Sequence, residues 1–286
     1  MITTPRTQAG KRRAPRRLRL PLSGLTEWTA ALALVLIVGI ALFGSVLAPH
    51  SPTALAGVPY SGASRQFPLG TDFLGRDVLS RILCGGRSVV LLAGAATLLA
   101  YLVGGTVGLV AGYNRSVLES VLMRGVDVML AFPPILLLLL FAAGLGPGYP
   151  TLLIGVTVIN VPGVARIVRG ATLEVSVHGY VEAAVARGER MHAVLLREIL
   201  PNIQRAVVAD GGVRFAGAIL AIAALNFLGL GLQPPAPDWA TMIAENRSGI
   251  TLQPWAVAAP AVMIAALTLS ANAVADAITG RLGVSR

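Results

Sequence analysis

The chain has 286 residues, of which 55% are hydrophobic and 13% charged, and its 23 Lys and Arg against 13 Asp and Glu give a net charge of +10. With a mean hydropathy of +0.75, this composition excludes a soluble globular enzyme and defines a polytopic α-helical membrane protein. One cysteine, Cys84, excludes an intrachain disulfide, and His50, His178 and His192 lack metal-ligand spacing, so no metal site is expected.

Residues 1–27 form a basic tail in which Arg6, Lys11, Arg12, Arg13, Arg16, Arg17 and Arg19 precede the first span without an acid. The positive-inside rule places this tail in the cytoplasm, and anionic lipid is its expected partner. Nucleic acid is not, because the basic residues sit in the tail and loops beside spans and no soluble domain exists to form a groove. The first span, 28–48, has 21 apolar-rich residues, longer than the roughly 7–15 of a signal-peptide core, and Pro49 follows the would-be cleavage point. An anchoring helix is therefore expected rather than a cleaved leader.

Residues 49–87 are expected as an outer loop with an interfacial segment. Arg65, Arg76, Arg81 and Arg87 there run against the charge rule, and Asp72 and Asp77 offset part of that charge. Residues 88–282 would then hold five more spans. The first, 88–114, carries Gly104, Gly108 and Gly112 at four-residue spacing, a face suited to close helix packing. The apolar stretch 128–165 is too long for one span, and Pro133-Pro134 with the Gly/Pro-rich run 144–150 divide it into helices over about 118–143 and 151–171. Further spans fit at 203–230 and 248–275. Six spans return the C-terminal 283–286 to the side of the N-terminus, together with the segment 166–205 and its six arginines.

Charged residues inside spans are expensive and so informative. Asp127 has Arg124 three residues before it, which suits a fixed structural pair better than a proton relay. Asp210 and Arg214 lie four apart on one helix face, read as local neutralisation ahead of substrate contact. The outer loop 231–254 presents Asp238 and Trp239 for contact with a partner outside the membrane, or Trp239 and Trp255 as interfacial anchors.

The most elaborate polar segment is 180–202. Residues 179–187 suit a short helix with Glu182 near its N-terminus, where a carboxylate favours the dipole, and Gly188 permits a tight turn. A second short helix over 189–199 places Met191, Val194, Leu195 and Ile199 on one face and Arg190, Arg197 and Glu198 elsewhere. Pro201 falls in the first turn of the next span, where proline is tolerated. The expected product is a helix-turn-helix along the membrane surface, a pattern that a loop merely packing on headgroups would share. A phosphate-binding P-loop requires Gly-x-x-x-x-Gly-Lys-Ser/Thr, and the only lysine, Lys11, is followed by Arg12. No cofactor is expected in this chain, and ATP-driven work must enter from another polypeptide.

Glu182-Ala183-Ala184, Gly188 and Leu200-Pro201 resemble the EAA motif of ABC-type importer permeases. Three further blocks resemble the C-type subunit of dipeptide/oligopeptide permeases: the run 68–81, Met123-Arg124 with Asp127 and Ala131-Phe132-Pro133, and the run 226–235. Glu198 departs from the apolar residue or histidine usual at its position, and Ile222 stands where a glutamate is common. The resemblance implies the six-helix type I ABC importer permease fold with a cytoplasmic coupling loop over 172–202. It implies a non-catalytic subunit in the bacterial inner membrane that translocates di- or oligopeptides by alternating access. Its partners would be a homologous second permease, two ATPase subunits or domains holding ATP and Mg, and an extracytoplasmic peptide-binding protein. Coupling would fall to Glu182, Ala183, Ala184, Gly188, Glu198, Leu200 and Pro201. A nickel or glutathione-like substrate remains an alternative within the family. Outside it stand an ion-coupled secondary transporter, for which no convincing internal repeat is visible, and an intramembrane enzyme, which would need a nucleophile and base at depth.

Overall fold

The computed structural model describes residues 23–114 and 116–284; residues 1–22 of the basic tail, with all seven of its basic residues, and Arg286 lie outside them, while 23–27 belong to the first helix. Among the described residues the chain is helical: α1 (Ser23–Leu47), α2 (Val78–Tyr113), α3 (Val117–Ala131), α4 (Pro134–Leu145), α5 (Tyr149–Val175), α6 (Gly179–Ala186), α7 (Met191–Phe227), α8 (Trp239–Asn246) and α9 (Trp255–Val284). Five of these, α1, α2, α5, α7 and α9, are long and apolar enough to cross a bilayer, and α3 with α4 forms a sixth, broken span bent by 86°.

The break is a correction to the single helix expected over 118–143. Phe132 and Pro133 both take extended backbone (ψ 133° and 128°) between the two helices. A proline disfavours helical geometry in the residue before it and lacks an N–H, and here two prolines follow each other, so the helix must stop at Ala131 and restart at Pro134. Glu27 at the start of α1 pairs with Arg281 near the end of α9 at 3.1 Å. An even number of passes brings these two ends together, which fits the bent pair acting as one traversal.

Two other boundaries move for identifiable reasons. The second span begins at Val78, ten residues before the expected start, because Asp77 caps it by accepting the backbone N–H groups of Leu79 and Ser80. Arg81 and Arg87 thus lie in the helix rather than in a loop. The last span begins at Trp255, after a 3-10 turn over Arg247–Gly249 that occupies its expected first residues.

The core is assembled around α5 and α7, which pack on each other and on α2, while α9 and α1 close the outside. Lipid tails are as apolar as leucine, so packing inside a membrane depends on close backbone approach. Gly104, Gly108 and Gly112 on α2 provide it against α5. A Cβ added at Gly104 would lie 2.6 Å from the Val161 carbonyl oxygen, and one at Gly108 would lie 2.6 Å from that of Ala165. The π turn at Tyr101–Gly105 lies within this seam. Because the obstacle is backbone, Gly108→Val is expected to lower stability by about 1–3 kcal/mol, read as a reduced melting temperature in detergent, whereas Gly94→Ala, with open space around it, should not.

Two apolar clusters result. The larger runs from α1 and α2 through α7 to Trp239 and Met242 of α8. The smaller joins Val164 and Val168 of α5 to Val181 and Ala184 of α6 and to Val194, Leu195 and Ile199 of α7. The ends of the bundle are thereby distinct: a cap end, built from residues 49–77 and α8, and a loop end bearing α6.

Candidate functional site

The loop end is shaped by one helix stop and one continuation. α6 ends in a Schellman turn: the Gly188 N–H donates to the Val185 carbonyl at 2.9 Å and the Glu189 N–H to that of Ala184 at 3.2 Å. Gly188 has φ +76°, in the left-handed region that glycine enters without penalty. Arg187 and Glu189 pair across the turn at 2.6 Å. Glu182, Ala183 and Gly188 are exposed, and a side chain at Gly188 would meet nothing within 4 Å.

Ala184 differs from the expected docking pair. It is buried in the smaller cluster, so its small size serves the contact of α6 with its own chain, leaving Ala183 on the open side. Val194, Leu195 and Ile199 are buried as their shared face predicts, and Met191 packs against them. Arg190, Arg197, Leu200 and Pro201 are exposed and Glu198 is half-buried.

No second surface helix is separate from the span. Met191 to Phe227 is one helix, carried past Pro201 by a π turn at Leu195–Ile199 in which the Leu200 N–H donates to the Leu195 carbonyl. Beside the loop, a cleft of about 680 Å³ lies between Glu174, His178, Tyr180, Arg205 and Thr279.

At the cap end, two of the four arginines that opposed the charge rule, Arg76 and Arg81, are buried and neutralised, while Arg65 and Arg87 are exposed. Arg76 Nε and Arg81 Nη1 donate to Asp72 Oδ2 at 2.6 and 3.0 Å, and both residues' Nη2 atoms donate to Glu245 Oε2 at 2.8 and 2.9 Å. Two guanidiniums and two carboxylates thus balance, joining the loop before α2 to α8. Burial pushes the Glu245 carboxyl pKa up and the Arg76 charge opposes it. Asp77 instead takes the helix cap, the Ser80 hydroxyl at 2.6 Å and a His50 contact at 3.3 Å.

Asp238 and Trp239 are both fully buried, which overturns their placement as partner contacts and Trp239 as an interfacial anchor. Trp239 fills a slot opened by Gly85 and Gly86 on α2, and its indole N–H donates to the Ile82 carbonyl at 2.8 Å. Asp238 accepts from the Ser88 hydroxyl at 2.6 Å, the Asn226 amide at 2.9 Å and the N–H groups of Ala240 and Thr241. Burial raises its pKa and these donors oppose the rise. It ties α2, α7 and α8 together. Trp255, by contrast, is exposed.

Within the spans, Asp127 pairs not with Arg124 but with Arg166 of α5, at 2.6 Å. Glu119 accepts from Arg169 Nε at 2.9 Å. The Asp210–Arg214 pair forms as spaced, at 3.1 Å, and the Tyr101 hydroxyl adds a hydrogen bond to Asp210 at 2.8 Å. The Arg214 guanidinium lies over Gly163, where a Cβ would stand 2.4 Å from it. Sequence reasoning missed Glu245, Arg166, Arg169, Glu119 and Tyr101 as partners. A usable signal was present: α3 carries two carboxylates and the following antiparallel α5 two arginines.

The described residues thus combine membrane-crossing helices, a sealed polar cap and an exposed helical turn continuous with a span. A chain of the inward-facing MetNI methionine ABC transporter matches the fold with TM-score 0.59 at 18% identity, over 71% of this chain and 95% of that one. The profile of the family described as binding-protein-dependent transport system inner membrane component matches residues 104–284, and the chain belongs to that family. It is 35% identical over 256 residues to the glutathione transport system permease protein GsiD of Pectobacterium atrosepticum, covering 88% of this chain and 85% of that one. It is 34% identical over 258 residues to the di/tripeptide transport system permease protein DppC of Pseudomonas aeruginosa, with the same coverage.

Proposed function

We propose that this chain is a peptide permease subunit, itself without catalysis, in an ATP-driven importer of the bacterial inner membrane. A homologous second permease completes the pathway, two ATPase subunits or domains bearing ATP and Mg dock on the loop end, and an extracytoplasmic binding protein delivers peptide at the cap end. The loop end, and with it both termini, faces the cytoplasm. The observation that carries this reading is the exposed α6 turn, with Glu182, Ala183 and Gly188 on the open side and an apolar core behind. It is a surface made for a partner and directly continuous with a span. Ala183 leaves room for close approach, Glu182 supplies a charge at the rim, and Leu200 and Pro201 join the loop to α7. Glutathione, transported by the GsiD relatives according to their names, is itself a peptide and falls in the same substrate class.

In proteoliposomes holding the whole complex with its binding protein outside, ATP-dependent uptake of a radiolabelled dipeptide is the expected result. The chain alone taking up dipeptide on a proton gradient, without ATP or ATPase subunits, would overturn the proposal.

A further inference from the structure

We infer that the paired charges between α3 and α5 line the loop-end half of the translocation path and receive the two charged ends of a zwitterionic peptide. The α-ammonium goes to Asp127 or Glu119 and the α-carboxylate to Arg166 or Arg169. The inference rests on the importer reading above.

Glu119, Ser120, Met123, Asp127, Arg166 and Arg169 bound a cleft of about 570 Å³. Asp127 and Arg166 stand in spanning helices, yet each side chain is 54% exposed. A half-exposed ion pair facing hydrocarbon is unfavourable, so this face meets water or protein. Its composition distinguishes the two. Interfaces between membrane helices favour small residues that allow close backbone approach, whereas here two carboxylates and two guanidiniums hold only each other. Such a set matches a ligand carrying one charge of each sign. When a zwitterion enters, its ammonium takes the place of a guanidinium at the carboxylate, and its carboxylate takes the vacated guanidinium. Every charge stays paired throughout, and no lone ion is left in a low-dielectric site.

The dimensions agree. Asp127 and Glu119 are eight residues apart on α3, about 12 Å along the helix axis. An extended tripeptide spans about 10 Å, so one short peptide reaches from one pair towards the other. Arg214 over Gly163 places a third guanidinium one turn from Arg166 along α5, and its carboxylate is Asp210.

The test uses the complete complex in proteoliposomes and dialanine as probe. Asp127→Asn combined with Arg166→Gln removes both charges and strands neither. Loss of a charge-assisted contact predicts uptake about tenfold lower, with the subunits still co-purifying. Wild-type uptake in this double variant would make the pair a structural tether and overturn the inference while leaving the importer reading intact. Absence of ATP-dependent uptake by the wild-type complex would overturn both. A second measurement places Asp127→Cys in a Cys84→Ser background. A membrane-impermeant thiol reagent applied from the loop end should modify it, and dialanine should slow the modification. A cysteine shielded in the assembled complex with or without peptide would mean that the second permease covers this face, and would overturn the inference.

Discussion

Arg81→Ala is expected to destabilise the folded chain by about 3–5 kcal/mol, the cost of breaking a buried ion pair and leaving its partners uncompensated. Arg81 is fully buried and shares Asp72 and Glu245 with Arg76, so its removal leaves two carboxylates facing one guanidinium. The charge-balanced variant, Arg81→Met with Glu245→Gln, leaves Arg76 with Asp72 and should recover most of the loss, because apolar replacement of a whole buried pair is often neutral. Arg65 is exposed and makes no ion pair among the described residues, so Arg65→Ala is expected within about 0.5 kcal/mol of wild type. Thermal unfolding of the purified chain in detergent measures all three. A melting temperature for Arg81→Ala equal to that of Arg65→Ala would remove the cap from any structural role.

Gly188→Leu acts at the opposite end and on a different quantity. The left-handed backbone costs a branched or bulky residue about 1–2 kcal/mol, and the new side chain points into open space on the proposed docking side. Folding should survive, since the buried face of α6 is untouched, and the complex should still co-purify. ATP hydrolysis should no longer drive uptake, with transport at least about tenfold lower. Gly188→Asn separates backbone from bulk, because asparagine tolerates this conformation, and should transport better than Gly188→Leu. Uptake by Gly188→Leu at the wild-type rate would sink the assignment of this turn to coupling.

The spans were legible because a bilayer demands a long apolar run for each crossing, and the loop because its polarity interrupts that pattern. Features set by distant partners were not. Nothing within ten residues of Arg81 announces Glu245, so two buried arginines read as a loop opposed to the charge rule. Asp238 and Trp239 read as exposed for the same reason: a Gly85-Gly86 slot on another helix decides their burial. Asp127 was matched to Arg124 because local spacing was all that could be weighed, while the antiparallel course of α3 and α5 supplied Arg166. At Pro133-Pro134 the breaker is visible in the sequence, but the 86° turn between α3 and α4 is not, since it is set by what the two helices pack against.

The π turn at Leu195–Ile199 has a mechanical side. The 37 residues from Met191 to Phe227 run through it as one rod of about 55 Å. A rod pushed sideways at one tip must swing at the other. The far tip is Asn226, whose amide holds Asp238, so under the proposed coupling role a thrust at the loop would bear on the seal of the opposite face.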